Sequence, residues 1–210
     1  VAVLEKLGKP FKVGDEVAYA VQGQDFKLTS QSVKGSGATM TSFIGEPGNA
    51  GRFLSSLKED GVDIPMFAEA NQYDPVLLEK GSNPLGDVLI RIPHPPFEEA
   101  DDYPAIQKFE ELMDARKEVD PKAKTAALGI QSMSSWLLFT EAATACAESD
   151  DHIISRECVR KEVENIGEWT GGGLHSPGNP GKNTPSECVI VMTIDGDKFA
   201  RKFPEVGSKD

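Results

Sequence analysis

A chain of 210 residues with three cysteines, three histidines and 22 basic residues has little to offer several kinds of chemistry. No Cys-x-x-Cys occurs and His175 has no nearby partner, so the spacing fits no zinc pattern and no metal is expected. Basic residues are outnumbered by 34 acidic ones, the net charge is -12 and the pI is near 4.8. That sign repels phosphate backbones and anionic membranes, which makes nucleic acid a poor partner. No apolar run approaches the roughly 18 residues of a membrane span. The longest uncharged stretch, Thr125 to Thr140, reads as a buried helix. A Gly-x-Ser-x-Gly elbow, a phosphate loop, a Rossmann glycine fingerprint and a His-Glu-x-x-His motif are all missing. His94, His152 and His175 fall in three different loops and read as surface or hinge residues rather than bases. No catalytic residue and no cofactor is expected, and there is no internal repeat.

What is present suits a globular protein. With 39% hydrophobic and 27% charged residues, the chain can bury a core in one domain or two small ones. It opens Val1-Ala2-Val3-Leu4-Glu5-Lys6-Leu7, which reads as a helix already under way, so a preceding segment is expected. Cys146 and Cys158 sit on successive helical segments, and Cys188 opens a strand. Two readings stand: three buried thiols, or a Cys146–Cys158 disulfide with Cys188 free or paired elsewhere. An oxidising compartment favours the second.

Strands and helices alternate over the first ninety residues. Phe11 to Val21 reads as a strand, and Asp25 as the N-cap of a helix reaching Lys34. Ala38 to Ile44 is the next strand. Pro47 suits the first turn of a helix whose apolar residues Ala50, Phe53, Leu54 and Leu57 share a face, closing at Gly61. Ile64 to Ala68 is a short buried strand, Pro75 to Lys80 a helix and Val88 to Ile92 a strand. The pattern predicts an α/β fold with a mostly parallel sheet. In such sheets ligands sit at the carboxyl ends of the strands.

The character changes at Pro93-His94-Pro95-Pro96, which reads as a crossing between lobes. Helices are predicted over Ala100 to Val119, Ala126 to Glu148 and Ser155 to Ile166. Ile130, Met133, Leu137 and Leu138, with Trp136 and Phe139 beside them, read as a core stripe. Gly171-Gly172-Gly173 reads as a tight connection packed under Trp169. A strand over Val189 to Ile194 turns through Asp195-Gly196 into Lys198-Phe199-Ala200.

Four residues are candidates for a ligand site. Glu69 ends a buried strand beside small Ala68 and Ala70, where a carboxylate can pair with a ligand ammonium. Glu46 and Gln22 occupy equivalent strand ends, and Tyr73 is close enough to wall a cleft.

The order of these features resembles a type I periplasmic solute-binding protein, of the branched-chain amino-acid group that serves ABC importers. The resemblance is carried by Gln24-Asp25-Phe26, Gly45-x-Pro47, Phe53-Leu54 and Lys58-Glu59-Asp60-Gly61. It continues through Tyr103, Phe109, Trp136 and Ala142-Ala143, then Ser155-Arg156-Glu157-Cys158, Trp169 to His175, Cys188 and the Asp195-Gly196 hairpin. It implies the type I periplasmic-binding-protein fold in part: a parallel-sheet lobe plus helices belonging to the other lobe. Residues 1–92 would form the sheet of the C-terminal lobe, and 93–187 the helical part of the N-terminal lobe with its hinge crossings. Residues 188–210 would return to the first. Family contacts to a ligand carboxylate come mainly from the first lobe's sheet, which the resemblance would place outside this chain. The family's ammonium-binding glutamate maps to Glu69, and the next contact maps near Gly45-Glu46.

The implied function is extracytoplasmic binding of an amino acid or similar small polar solute, without catalysis, for an ABC permease in the membrane. The protein would lie in the periplasm or be lipid-anchored at the cell surface. One alternative is a ligand-sensing domain of the same fold. Another is an enzyme using Glu69 as acid or base with Cys188 as nucleophile. Unpartnered apolar surface on helices 101–148 predicts a dimer or a domain swap.

Overall fold

A computed structural model describes residues 12–81, 84–149 and 152–206. The helix expected at Val1 to Leu7 lies outside them. The strand expected over Phe11 to Val21 does not form in its described part: residues 12–20 carry no regular structure and residues 21–23 make a turn. Its apolar positions Val13 and Val17 are exposed and Tyr19 is half-buried, so the alternation has no neighbouring strand to bury against.

The first helix, α1, spans Lys27–Ser36 and ends at Gly37. Phe26 occupies its N-cap, one residue later than expected, yet Asp25 still accepts the Lys27 N–H at 2.9 Å. Then follow β1 (Thr41–Phe43), α2 (Pro47–Glu59), β2 (Met66–Ala68), α3 (Pro75–Gly81) and β3 (Val88–Ile92). After the prolines come α4 (Pro104–Val119), α5 (Ala127–Glu148), α6 (Arg156–Asn165), β4 (Ile190–Asp195) and β5 (Lys198–Phe203). The five strands form one sheet in the order β1-β2-β3-β4-β5. The first three are parallel, and β4 and then β5 extend the sheet antiparallel.

Parallel neighbours in sequence order put both crossover helices on one face, because such crossovers are right-handed. Met66, Ala68, Val88, Ile90 and Ile92 accordingly point into a core with Ala50, Phe53, Leu54, Leu57 and Leu77. On the opposite face Phe67 and Leu89 are half-buried and Arg91 is exposed. Asp60 anchors α1 to the end of α2: it accepts from Lys27 Nζ at 2.6 Å and from the Ser30 hydroxyl, and its carbonyl accepts from Lys34 Nζ at 2.6 Å.

A second, smaller core joins Ala100, Ile106, Phe109, Ile130 and Leu174. The two cores meet at Phe97, which packs on both. Its ring stacks on Tyr73 at 4.9 Å between centroids and on Phe109 at 5.9 Å. Arg201 of β5 forks onto Glu99 in the same joint, with only 9% of its side chain exposed. The start of α5 is tied to the sheet side by the Lys124–Asp74 ion pair at 2.6 Å and by Ala127 N–H to Tyr73 C=O at 3.1 Å.

The helix expected to be buried over Thr125 to Thr140 is not. Only Ala127, Ile130, Ser134, Ala142 and Cys146 of α5 are fully buried, at the 3–4 spacing of a single narrow stripe. Leu128, Trp136, Leu137 and Phe139 are exposed, with Trp136 at 67%, because the described residues place packing partners along one side of the helix only. Trp136 and Phe139 pack edge to face on each other instead.

Cys146 and Cys158 form a disulfide with their Cα atoms 5.9 Å apart, so the reading of three buried thiols does not hold. Cys188 is free and exposed. The disulfide pins α6, none of whose residues is fully buried, to α5; Ser155 caps α6 by accepting the Cys158 N–H at 3.1 Å. Reduction, or a Cys146→Ala/Cys158→Ala double variant, is expected to cost about 2–4 kcal/mol of stability. Thermal unfolding with and without reductant checks this; an unchanged midpoint would show that the crosslink contributes nothing.

Candidate ligand site

The turn at residues 21–23 and the carboxyl ends of β1 and β2 are laced together by side-chain hydrogen bonds. Asn49, in the first turn of α2 and only 3% exposed, donates to Val21 C=O at 3.1 Å and to Glu46 Oε2 at 2.8 Å. Tyr19 O–H reaches Ile44 C=O at 3.2 Å and Glu46 Oε2 at 3.3 Å. Asn71 and Gln72 both donate to Gly45 C=O, at 2.6 and 2.5 Å. Gly45 has φ +152°, and a Cβ there would run into the Tyr19 hydroxyl, so this junction needs glycine. Beside it lies an open recess of about 430 Å³ lined by Val21, Glu46, Gly48, Asn49 and Arg52.

The four candidate residues differ in their surroundings. Gln22 is exposed in the turn. Glu46 is the N-cap residue of α2, and its carboxylate is held below the usual range chiefly by the Asn49 hydrogen bond. It is committed to holding the junction. Glu69 follows β2 directly, with its carboxylate about half exposed at 47%, and pairs through Oε2 with Arg91 Nη2 at 2.7 Å. Tyr73 does not wall a cleft: it is 1% exposed, stacked on Phe97, with its O–H donated to Glu98 and its oxygen accepting the Phe97 N–H at 2.8 Å. Burial, then the Glu98 charge, pushes the Tyr73 phenol far above its usual pKa, and burial raises Glu98. Thus Gln22, Glu46 and Glu69 share one end of the sheet, and Tyr73 belongs to the joint beneath it.

Arg91 and Asn49 escaped the reading of the sequence, and Asn71 entered it only as part of the strand end after Glu69. Arg91 had a visible signal, being the only charged residue of the strand Val88–Ile92. Asn49 and Asn71 had none beyond their places near strand ends.

Two histidines are more enclosed than a surface position would leave them. His94 is 1% exposed in the crossing, against Tyr73 and Phe97. Its Nδ1 donates to Pro95 C=O at 2.8 Å, and Nε2 has no partner among the described residues. His175 Nδ1 donates to Ser176 C=O, so its Nε2 accepts from the Ser134 hydroxyl at 2.7 Å; that oxygen accepts from Trp169 Nε1 at 2.9 Å. This chain fastens residues 169–176 to α5, and Ser176 N–H bonds Pro93 C=O at 3.2 Å. Gly171, at φ +63°, lies so near Ser134 that a Cβ would meet its hydroxyl oxygen at 2.9 Å. Cys188, exposed ahead of β4, donates its N–H to Ser186 Oγ at 3.2 Å.

The sequence profile of the family described as "Periplasmic binding protein" matches residues 1–199. The chain belongs to the periplasmic binding protein family. Its α/β architecture is the type I fold of that family, and solved structures agree. A branched-chain amino acid ABC transporter protein of Thermus thermophilus, with bound valine, superposes with a TM-score of 0.76 at 16% identity, covering 96% of this chain and 54% of that one. LivJ, a branched-chain amino acid transporter substrate binding protein of Streptococcus pneumoniae solved with isoleucine, gives 0.64 at 14% identity, covering 95% and 54%. A fatty acid ABC transporter substrate-binding protein of Thermomonospora curvata gives 0.66 at 17%, covering 86% and 46%. At these identities the likeness is one of fold. The chain spans about half the length of these solved relatives. No curated protein matches it. Among the described residues no helix of this periplasmic binding protein is long and apolar enough to cross a membrane.

Burial lowers the pKa of His94 from 6.5 to about 4. The unfolded chain therefore takes up a proton near pH 6.5 while the folded chain resists until about 4. The associated stability is complete above pH 6.5 and is lost as the pH falls toward 4. Between about pH 7 and pH 5 the loss is expected to be about 2 kcal/mol. Denaturant titrations of wild type and His94→Gln over that interval check this; equal slopes against pH would show that His94 folds in its charged form.

Proposed function

We propose that the chain is part of an extracytoplasmic solute-binding protein of an ABC importer, holding an amino acid or similar small polar solute between two lobes. In this reading residues 1–92 and 188–210 build one lobe and 93–187 belong to the other. The Pro93 to Pro96 crossing is the hinge. The observation that carries the reading is Glu69: a half-exposed carboxylate at the carboxyl end of a buried parallel strand, within a fold of the periplasmic binding protein family. A ligand ammonium docked on Glu69 makes a charge-assisted hydrogen bond. Gln22 and Glu46 border the same end, Glu46 chiefly by shaping it. Solutes bound by relatives include valine and isoleucine.

The function is binding without catalysis, consistent with a family whose members capture solutes. Closure follows from differential affinity: a solute touching both lobes favours the state in which they meet. A membrane permease is the macromolecular partner, and the compartment is the periplasm or the outer face of the membrane. The Cys146–Cys158 disulfide suits that oxidising location.

Glu69→Gln keeps the shape and removes the charge. It is expected to weaken binding of an aliphatic amino acid by roughly 10- to 100-fold, the range of a hydrogen bond to a charged group. Isothermal titration of wild type and variant checks this, and equal affinities would remove Glu69 from the site.

The exposed apolar face of α5 also favours association of the isolated chain, as a dimer or by domain swapping. Sedimentation velocity is expected to show species heavier than the 22.7 kDa chain, decreasing with Trp136→Ser/Phe139→Ser. A single monomeric boundary at all concentrations would refute it.

A further inference from the structure

The reading above leaves Arg91 without a task. It is the one charged residue of β3, on the sheet face opposite α2 and α3, with 49% of its side chain exposed. It touches Glu69 through one nitrogen and one oxygen only, Nη2 and Oε2, at 2.7 Å. Among the described residues its Nε and Nη1, and Oε1 of Glu69, have no partner. A guanidinium bonded through a single nitrogen still presents free N–H groups for a second carboxylate.

Most of the other polar groups at this end of the sheet are engaged, Gln72 Oε1 and the exposed Gln22 excepted. Glu46 is held by Asn49 and Tyr19, and Asn71 and Gln72 spend their amide N–H groups on Gly45. The charged atoms left over at the ends of β2 and β3 are one carboxylate oxygen and the unused part of one guanidinium. Together they complement a molecule that carries an ammonium and a carboxylate. They also discriminate against a bare amine, which must compete with Arg91 for Glu69 and offers Arg91 nothing in return.

We propose that Arg91 is a specificity-determining residue of the solute site: it binds the solute's carboxylate while Glu69 holds its ammonium, so one lobe reads both charges of a zwitterionic amino acid. The inference rests on the reading of Glu69 as an ammonium site. It adds a carboxylate contact from this lobe to the ammonium contact at Glu69 and the contact near Gly45-Glu46 that the family resemblance implies.

The test is isothermal titration of the 210-residue chain with valine, isoleucine and glutamine, with their C-terminal amides and with isobutylamine, using wild type, Arg91→Gln, Arg91→Lys and Glu69→Gln. Wild type is expected to bind an amino acid at least tenfold more tightly than its amide. Arg91→Gln is expected to bring that ratio close to one and, by freeing Glu69, to tighten binding of isobutylamine. Arg91→Lys is expected to keep part of the ratio. A merely structural role for Arg91 would weaken all solutes alike. An amino acid to amide ratio unchanged in Arg91→Gln overturns the inference and leaves the Glu69 reading standing. Amino-acid binding unchanged in Glu69→Gln overturns that reading, and with it the two-charge arrangement. No heat from any solute with the wild-type chain overturns both.

Discussion

The structure depends on a single aromatic joint. Tyr73 follows the short turn after β2, and Phe97 follows the proline crossing after β3; their rings lie nearly parallel, 8° apart in plane. Phe97 is the side chain shared by the two cores, so the sheet and the helical part meet through it. Hydrogen bonds lock the stack from both sides, since the Tyr73 oxygen accepts the Phe97 N–H and its proton goes to Glu98. Tyr73 also lends its carbonyl to the start of α5. A buried tyrosine needs a partner for its hydroxyl, and here the partner comes from the segment it packs on. The same few atoms therefore decide both how the crossing leaves the sheet and where α5 begins.

One-sided packing of the sheet explains where the polar chemistry lies. Sequential parallel strands send both crossovers to one face, which takes the even-numbered apolar residues of β2 and β3. The odd-numbered positions are left to Phe67, Leu89, Arg91 and, just past the strand, Glu69. The Glu69–Arg91 pair is thus a product of parallel register: Ala68 stands beside Ile90, so the next residue of each strand projects the same way. Screening limits what so exposed a pair adds to folding. The pair is positioned by the sheet rather than needed by it, which leaves its charges free for the solute contacts proposed above.

Much of this architecture was legible in the residues. Val88 to Ile92 was bounded by its own apolar run, the helix after Glu46 by Pro47, and the final hairpin by Asp195-Gly196. The order of motifs was enough to identify the family. Side-chain destinations were harder to read. Alternation over Phe11 to Val21 looked like a strand, but a strand exists only where a neighbour offers a ladder, and residues 12–20 have none. The apolar face around Trp136 looked like core because hydropathy records preference, not whether a partner surface is present. Tyr73 looked like the wall of a cleft and His94 like a surface or hinge residue, and long-range packing drew both inside. Glu69 was found from its strand-end position; its pairing with Arg91, 22 residues away, needed the register of two strands.

The sheet order has a consequence for the history of each molecule. β3 is bordered on one side by β2, a near neighbour in sequence, and on the other by β4, whose Met192 pairs with Ile90. That second partner lies about 100 residues downstream, beyond α4, α5 and α6, and such distant pairings close late. At ribosomal rates of roughly 5–20 residues per second, β3 waits on the order of 5–20 s for its partner to be synthesised. During that interval its free edge, Leu89 and Arg91 included, is an open template for other strands. Arg91 is then the one charge on an otherwise apolar edge, placed where a gatekeeper residue protects a growing chain.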